Sequence, residues 1–271
     1  MQKEVKKYKV FIPKSVEINK EEQIIVKKVE ASKIELEIEV TKLAYQLSQK
    51  TDLFTVPEIV AADLANGTIT YRYLENIVPL SALLINGELT AEIINNVGKS
   101  IRFVHQNLVL TQKKSLDKSY DFLDPTQYRS AFLHGDFTLN NVQYDLTAKK
   151  IVILDWSTST SFGKAGNWGV VYWDLSKFIS SIFISAKVSL FYRKEYENLA
   201  YQFIKGYTSN QEELLVLKKF GKKSSSFEMK LDAENSPQKL YYYYRRYIPW
   251  RQCAYFWSKF DFKKVMKIKL P

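Results

Sequence analysis

The chain has 271 residues, 46% of them hydrophobic, and carries 40 Lys and Arg against 29 Asp and Glu, a formal net charge of +11. This length and apolar content suffice for one large domain or two small lobes with a packed core. Cys253 is the only cysteine and there are two histidines, so an intrachain disulfide framework and a zinc site are both excluded. The charged N-terminus and the polar interruptions in every apolar stretch favour a cytoplasmic protein without a signal peptide or spanning segment.

The first 75 residues alternate between strand-like and helix-like patterns. Residues 8–12 and 24–29 read as short strands, and the sequence Ser-Lys-Ile-Glu at 32–35 is a capping box that opens a helix. Apolar residues then recur at helical spacing: Leu36, Val40, Leu43 and Leu47. Residues 58–65 and 68–74 flank Asn66-Gly67, the dipeptide typical of a two-residue type I′ hairpin turn. The pattern predicts a small lobe of two strands, a helix and a hairpin.

After a link at residues 75–79 the chain becomes mainly helical. An apolar stripe predicts a long helix that ends near His105, and 143–145 and 151–154 read as short strands. Further helices are predicted at 173–186, before Gly206 as a stop signal, and after Ser209 as a cap with Glu212. The stripe of the long helix is Ile94, Val97, Ile101, Val104 and Leu108, and that of the helix before Gly206 is Tyr192, Tyr196, Leu199 and Phe203. A polar stretch at 221–237 is interpreted as a linker to the C-terminal segment.

Three oxygen-bearing side chains stand at predicted strand–loop junctions. Asp136 lies in the sequence Phe-Leu-His-Gly-Asp-Phe-Thr-Leu-Asn-Asn at 132–141, Asn141 follows five residues later, and Asp155 follows the apolar run at 151–154. Transfer of a phosphoryl group from Mg-ATP needs one carboxylate near the acceptor hydroxyl and further oxygen ligands for a hard cation between the phosphates. The set therefore favours a phosphotransferase site over two surface aspartates and a turn asparagine.

This spacing resembles the motif of aminoglycoside phosphotransferases and choline kinases, which reads H-G-D-x-x-x-x-N followed by two apolar residues and D-[FW]. His134-Gly135-Asp136, Asn141 and Asp155-Trp156 match it. Protein kinases have Arg where this chain has Gly135, so a small-molecule kinase is the closer resemblance. The resemblance implies an α+β, two-lobe protein kinase-like fold. A small antiparallel-sheet lobe at 1–75 would bind the nucleotide, and a larger, mainly helical lobe at 76–271 would carry catalysis and the acceptor.

The resemblance also implies a role for each matching residue. Asp136 would orient and deprotonate the acceptor hydroxyl, while Asn141 and Asp155 would hold Mg²⁺. The five-residue spacing favours Asn141 over Asn140. His134 would brace the loop, and Asp174, in Trp-Asp-Leu-Ser, would hydrogen-bond the catalytic loop or cap the following helix. His105 is expected to be an ordinary helix residue with its hydrogen bonds satisfied.

The same resemblance requires a lysine on the nucleotide phosphates, paired with a helix glutamate. Lys27 and Lys28 are adjacent and point to opposite strand faces, so only one of them faces the nucleotide. Alternation with Val26 favours Lys28, although Lys27 remains an alternative. Glu39 is the favoured partner because it shares the apolar helix face, whereas Glu37 is placed on the solvated face.

Two features depart from the motif or extend beyond it. Gly67 is the first glycine, so no Gly-rich loop precedes the lysine strand, which leaves a catalytically silent kinase-like binding protein as the alternative. Residues 236–271 contain nine basic residues and one acidic residue, a net charge of +8, interleaved with aromatics. This segment would either bind an anionic membrane surface or cover a helical lobe with solvated charges; nucleic acid is less favoured. The positive net charge favours an anionic, sugar-like or lipid-linked hydroxyl acceptor.

Overall fold

The computed structural model of the chain describes residue 8 and residues 14–110, 126, 128–156, 168–185, 194–208, 210–235 and 248–267, with 231–235 described by backbone only. The strands are β1 Val16–Asn19, β2 Ile24–Lys28, β3 Phe54–Thr55, β4 Ile59–Asp63, β5 Thr68–Arg72, β6 Ile77–Pro79, β7 Ser130–Phe132, β8 Val142–Asp145, β9 Lys150–Ile153 and β10 Trp168–Val170. The helices are α1 Ala31–Ser48, α2 Leu80–Asn86, α3 Ala91–Asn107, α4 Tyr172–Ser185, α5 Lys194–Tyr207, α6 Gln211–Asn235, α7 Ile248–Lys259 and α8 Phe262–Lys267.

An antiparallel sheet of order β1-β2-β5-β4 forms the N-terminal part, with α1 packed beside it. The predicted hairpin is present, but its turn is four residues long and only Gly67 has positive φ, so the two-residue type I′ turn was wrong. Asp63 stabilises the turn by accepting a hydrogen bond from the Asn66 backbone N–H at 3.0 Å. Strand β1 was not predicted, and residues 9–12 of the first predicted strand lie outside the described residues.

Helix α1 begins one residue before the predicted capping box. Its N-cap is Glu30, and no side chain caps it, so the capping box was also wrong. The predicted apolar stripe does face the core: Val40 and Leu47 are buried, and Leu36 and Leu43 pack against the cluster. The stripe thus packs α1 against the main apolar cluster, which includes Phe54 of β3 and Val97 of α3.

The second sheet, of order β3-β9-β8-β6, places the candidate site. Strand β3 is parallel to β9, whereas β8 is antiparallel to both β9 and β6. Strand β7 pairs instead with β10 in a two-stranded ribbon. The loop between β7 and β8, which carries Asp136 and Asn141, therefore ends next to the segment after β9, which carries Asp155.

Helices α3 and α5 form the central pair of the larger helical part. All five stripe residues predicted for α3 are buried. A Cβ atom at Gly98 would lie 2.2 Å from the carbonyl oxygen of Phe203, and one at Gly206 would lie 2.0 Å from that of Asn95, so the two glycines allow close contact. Gly206 lies inside α5 and does not stop it. Tyr192 and Ser209 lie outside the described residues.

The C-terminal helices differ from the prediction in one respect. The stretch at 221–235 is not a linker but continues α6, which Asn210 caps by accepting from the backbone N–H of Glu212 at 2.9 Å. In α7 three of the four aromatic side chains, Trp250, Phe256 and Trp257, are buried, whereas Tyr255 is exposed. None of the described helices is both long and apolar enough to cross a bilayer.

Candidate active site

The catalytic-loop segment between β7 and β8 is clamped through its backbone by one buried carboxylate. Asp174, in the first turn of α4, accepts hydrogen bonds from the backbone N–H of His134 at 2.8 Å and of Gly135 at 2.9 Å. The Trp173 indole N–H donates to the Gly135 carbonyl at 3.1 Å. Gly135 has φ +83°, a left-handed conformation that costs glycine nothing. These contacts fix the backbone immediately before Asp136.

Asp136 and Asn141 meet across this loop. The Asn141 side-chain amide donates to the Asp136 carboxylate at 3.0 Å and to its backbone carbonyl at 2.9 Å. Because the amide N–H group faces Asp136, the Asn141 Oδ1 atom points elsewhere, and it accepts no hydrogen bond from any residue that the structure describes. Asn140, the neighbour, is exposed. The geometry therefore orients Asp136 and leaves one amide oxygen available.

His134 joins this loop to the strand end that carries Asp155. Its Nε2 atom lies 2.8 Å from the Leu154 carbonyl oxygen, which can only accept, so Nε2 bears the proton. The Leu154 N–H donates in turn to the Asn141 carbonyl at 2.9 Å. Asp155 follows with φ +56°, a conformation that Asp tolerates better than most residues. The metal-ligand candidates Asn141 and Asp155 are thus held in adjacent backbone segments.

A lysine bridges the two sheets at this point. The Lys27 ammonium lies 2.7 Å from Asp155 Oδ1 and 2.6 Å from Glu37 Oε1, and Tyr71 donates to the same Glu37 oxygen at 2.8 Å. Burial lowers the pKa of Lys27, but the charges of Asp155 and Glu37 outweigh it, so the pKa is raised and the group stays charged. Burial and Glu37 also raise the pKa of Tyr71, which remains a neutral donor.

These contacts correct two choices made from the sequence. Lys28, the favoured lysine, is exposed, and the ion pair is made by Lys27. Glu37, placed on the solvated face, is 1% exposed, whereas the favoured Glu39 is half-buried. In the structure the pair is Lys27 and Glu37 rather than Lys28 and Glu39.

The sequence carries a signal for the burial of Glu37 but none for that of Lys27. Lys27 lies opposite Ile69 of β5 and so on the buried face of the sheet, but the run Ile24, Ile25, Val26 gives β2 apolar residues on both faces. On α1, Ile34, Glu37 and Val40 follow one another at spacing three and are all buried. The apolar stripe chosen from the sequence omitted Ile34, so the predicted buried face of α1 is displaced by one residue position from the observed one.

The donor set is suited to a divalent cation held jointly with phosphates. Asp136, Asp155 and Glu37 outnumber the single Lys27 charge, and Glu37 Oε2 is buried without a partner among the described residues. No group of three or more His, Cys, Asp or Glu side chains in the described part of the chain forms a metal cage. Mg²⁺ typically takes one or two protein ligands and completes its octahedron with phosphate oxygens and water. Asp155 and Asn141 fit that pattern.

Comparisons with known proteins bear on the fold. No protein-family model and no curated protein sequence matches the chain. Solved structures do match: an ethanolamine kinase from Plasmodium vivax has a TM-score of 0.53 at 10% identity over 93% of this chain and 84% of that one. A choline/ethanolamine kinase family protein from Mesorhizobium loti has a TM-score of 0.52 at 12% identity, covering 90% and 85% of the two chains.

A third match has antibiotic-modifying activity in its name. The aminoglycoside phosphotransferase APH(2'')-Ib, solved with ADP, has a TM-score of 0.50 at 12% identity, covering 87% of this chain and 88% of that one. At such identities the similarity establishes the fold alone. It confirms the predicted α+β, two-lobe kinase-like architecture.

Proposed function

We propose that this protein is an ATP- and Mg²⁺-dependent phosphotransferase that acts on a hydroxyl of a small molecule, sugar or glycan. The observation that carries the proposal is the Lys27 bridge, which joins a helix glutamate to a strand-end aspartate, with Lys27 and Asp155 128 residues apart in sequence. A lysine held in this way beside Asp155 would contact nucleotide phosphates. Residues 1–75 would form the nucleotide-binding lobe and residues 76–271 the catalytic and acceptor lobe.

Each polar group then has a chemical task. The acceptor hydroxyl oxygen attacks the γ-phosphorus, the bond to the ADP leaving oxygen breaks, and the hydroxyl proton passes to the Asp136 carboxylate. Asn141 keeps that carboxylate oriented through its 3.0 Å hydrogen bond. Asn141 Oδ1 and the Asp155 carboxylate would hold Mg²⁺, which supplies charge neutralisation at the phosphates. Lys27 would move from Asp155 toward the phosphates when the nucleotide binds.

Two observations bear on the identity of the acceptor: the net charge of this protein and the substrates named for its structural neighbours. The structural neighbours include kinases of ethanolamine and of aminoglycosides, which are cationic alcohols. This chain carries a formal charge of +11, which repels cations at long range and favours an anionic, sugar-like or lipid-linked alcohol. The cluster around Asp136 is locally negative, so a small ammonium alcohol belongs in the same screen.

Release of ADP from Mg-ATP in the presence of panels of hydroxylated metabolites tests the proposal. Asp136→Asn keeps the size of the side chain and removes the base, so turnover with the identified acceptor should fall by about 10² or more, with Mg-ATP affinity nearly unchanged. Asn140→Ala is the matched control, since Asn140 is exposed in the same loop, and it should retain activity.

Two results would contradict the proposal. Near-full turnover by Asp136→Asn would remove Asp136 from the mechanism. Binding of Mg-ATP without ADP release for any acceptor would favour a catalytically silent binding protein, the alternative that agrees with a nucleotide lobe in which no glycine precedes Gly67.

A further inference from the structure

Polar side chains form a continuous chain of contacts from the start of α6 to the catalytic loop. Arg129 contacts Glu213 at 3.0 Å and the Tyr207 hydroxyl at 3.1 Å. That hydroxyl lies 3.0 Å from His105 Nδ1, and His105 Nε2 lies 3.1 Å from Asp174 Oδ2. Asp174 is the carboxylate that clamps the loop before Asp136. The proposed transfer mechanism assigns no task to the other four residues.

The direction of every hydrogen bond in this series of contacts follows from the groups at its two ends, a guanidinium and a carboxylate. A guanidinium only donates, so the Tyr207 oxygen accepts from Arg129 and its proton is directed to His105 Nδ1. A carboxylate only accepts, so His105 Nε2 carries the ring proton and donates to Asp174. A neutral imidazole protonated at Nε2 satisfies both contacts at once. Asp174 and the Tyr207 hydroxyl, which Arg129 orients, therefore favour the same tautomer of His105.

Because the contacts of this tautomer are buried, the loss of one of them strongly affects the Asp174 carboxylate. The side chains of His105 and Asp174 are fully buried, and Tyr207 is 1% exposed. Burial lowers the pKa of His105 more than the neighbouring Asp174 raises it, which keeps the ring neutral. Asp174 Oδ2 then receives two hydrogen bonds, from the His105 ring and the His134 backbone, while Oδ1 receives one from Gly135. A buried carboxylate that loses one of three donors is strongly destabilised or changes orientation.

We propose that His105, held in its Nε2-protonated tautomer by Asp174 and by the Tyr207 hydroxyl that Arg129 orients, is a positioning residue for the catalytic loop. It fixes the Asp174 carboxylate in the orientation that holds the His134 and Gly135 backbone, and so sets the placement of Asp136. Arg129 is well placed for this because it directly precedes β7, the strand that leads into the loop, and its carbonyl accepts from the Val171 N–H. The inference about rate rests on the proposed phosphotransferase function, whereas the inference about loop geometry does not.

Kinetics of four variants test the effect on rate. His105→Leu removes the donor to Asp174 and should lower kcat roughly 10- to 100-fold with the KM for Mg-ATP within about twofold. His105→Gln keeps an amide donor near the Nε2 position and should restore most of kcat. Tyr207→Phe leaves His105 Nδ1 without its donor, so the ring is held at one end only, and kcat should fall about 3- to 10-fold. Tyr201→Phe removes a buried hydroxyl of the same helix that accepts from the Asp261 N–H instead, and should leave kcat unchanged.

Two measurements without turnover test the geometry. Nitrogen-15 NMR of the imidazoles should show His105 protonated at Nε2 both in the unmodified protein and in Tyr207→Phe, because Asp174 still requires a donor there, with a changed Nδ1 shift in the variant. Amide hydrogen exchange at His134 and Gly135 should become at least about tenfold faster in His105→Leu than in Tyr201→Phe, with the amides of α5 unchanged. If no acceptor supports ADP release, the proposed function fails while these measurements still decide the positioning role.

Specific outcomes would overturn the inference. A kcat for His105→Leu within twofold of the unmodified enzyme, or exchange at His134 and Gly135 equal to that of Tyr201→Phe, would show that the loop does not depend on His105. An equal loss of kcat in His105→Gln and His105→Leu would show that ring shape, rather than the donated hydrogen bond, is required. Should His105→Leu fail to fold, Tyr207→Phe and His105→Gln carry the test.

Discussion

At the scale of single residues, Lys27 is the contact on which the two parts of the site depend. Lys27→Met removes the charge that neutralises Glu37 and Asp155, and it should weaken Mg-ATP binding at least about tenfold, since a charge-assisted hydrogen bond contributes about 1.5–3 kcal/mol. Lys28→Met, at the exposed neighbouring position, is the matched control and should bind normally. Calorimetric titration with ATP and MgCl₂ measures both, and a larger effect of Lys28→Met would restore the original choice of lysine.

The buried His105 should give stability a characteristic pH dependence. Its pKa is lowered in the folded chain, chiefly by burial, whereas the unfolded chain has the ordinary value of about 6.5. The unfolded state therefore binds more protons between these values, and the free energy of unfolding should fall as the pH drops below about 6.5, levelling off only below the folded pKa.

His105→Gln provides the reference for this effect, because it retains a donor to Asp174 and does not titrate. Urea unfolding between pH 5 and 7.5 should show the unmodified protein losing stability relative to His105→Gln as the pH decreases. Parallel curves for the two proteins would mean that His105 takes up its proton equally easily in both states.

The proximity of two candidate site residues was predictable from their spacing. Asp136, Asn141 and Asp155 were selected because their spacing resembles a phosphotransferase motif, and the structure brings Asn141 against Asp136. Lys28 was preferred to Lys27, and Glu39 to Glu37, because the burial of Lys27 and Glu37 depends on which sheet face α1 covers. That is a tertiary contact, and an apolar strand such as β2 carries no alternation that records it.

At the scale of secondary-structure elements, the close contact of α3 and α5 underlies the polar chain that reaches the loop. Gly98→Ala places a methyl group 2.2 Å from the Phe203 carbonyl and 2.8 Å from the Tyr207 backbone nitrogen, and neither backbone atom can yield without moving α5. We expect the free energy of unfolding to decrease by about 1–3 kcal/mol. Gln106→Ala, exposed on the same helix, should change it by less than about 0.5 kcal/mol.

Displacement of α5 should also reach the site, because Tyr207 is carried by that helix. Equilibrium urea unfolding monitored by tryptophan fluorescence measures the loss of stability for both variants. Equal stabilities of Gly98→Ala and Gln106→Ala would show that the two helices can separate at little cost, and would weaken the assignment of Gly98 as a contact glycine.

Element types followed from the sequence more reliably than element ends. The stripe on α3 is a strong signal because all its members are buried along one face. The end of α6 was misjudged because Gly221 and the serines after it look like a linker; yet Ser224 and Ser225 are buried and Gly221 packs against Trp257, so tertiary contacts stabilise a helix that intrinsic propensity disfavours. The two-residue turn predicted at Asn66-Gly67 was wrong for a similar reason, because the Asp63 side chain accepts a hydrogen bond from the Asn66 backbone N–H and so competes with that turn.

At the scale of the whole molecule, the fold tolerates nearly complete replacement of its sequence. Structural neighbours at 10–12% identity have TM-scores of 0.50–0.53, so the fold is shared although most residue identities differ. Residues 77–79, predicted as part of a link, form β6 of the second sheet, and further contacts join the N-terminal sheet to the rest of the molecule. Strand β3 pairs with β9 of the second sheet, and the hydroxyl of Tyr8, near the N-terminus, donates to Glu88.

The C-terminal helices concentrate positive charge on one part of the surface of the molecule. In α7 and α8 the large aromatics Trp250, Phe256 and Trp257 are buried, while Lys259, Lys263 and Lys267 are exposed. The described part of this segment therefore offers charge to a partner but withholds its tryptophans. Electrostatic attraction to an anionic lipid surface would have to act without insertion of Trp250 or Trp257, and would be screened over about 10 Å at 0.1 M salt.

Flotation with phosphatidylglycerol-containing vesicles tests this attraction. We expect the protein to adsorb at low salt and to be released at moderate salt. A variant in which Gln replaces Lys259, Lys263 and Lys267 together should adsorb more weakly, by about 1 kcal/mol per lysine. Its Tm should not change, because all three lysines are exposed. Exchanging Lys20, Lys42 and Lys50, exposed elsewhere, makes the same charge change and should weaken it less. If the unmodified protein stays in solution with anionic vesicles at low salt, these lysines serve only as the solvated face of helices whose tryptophans, Trp250 and Trp257, are already buried.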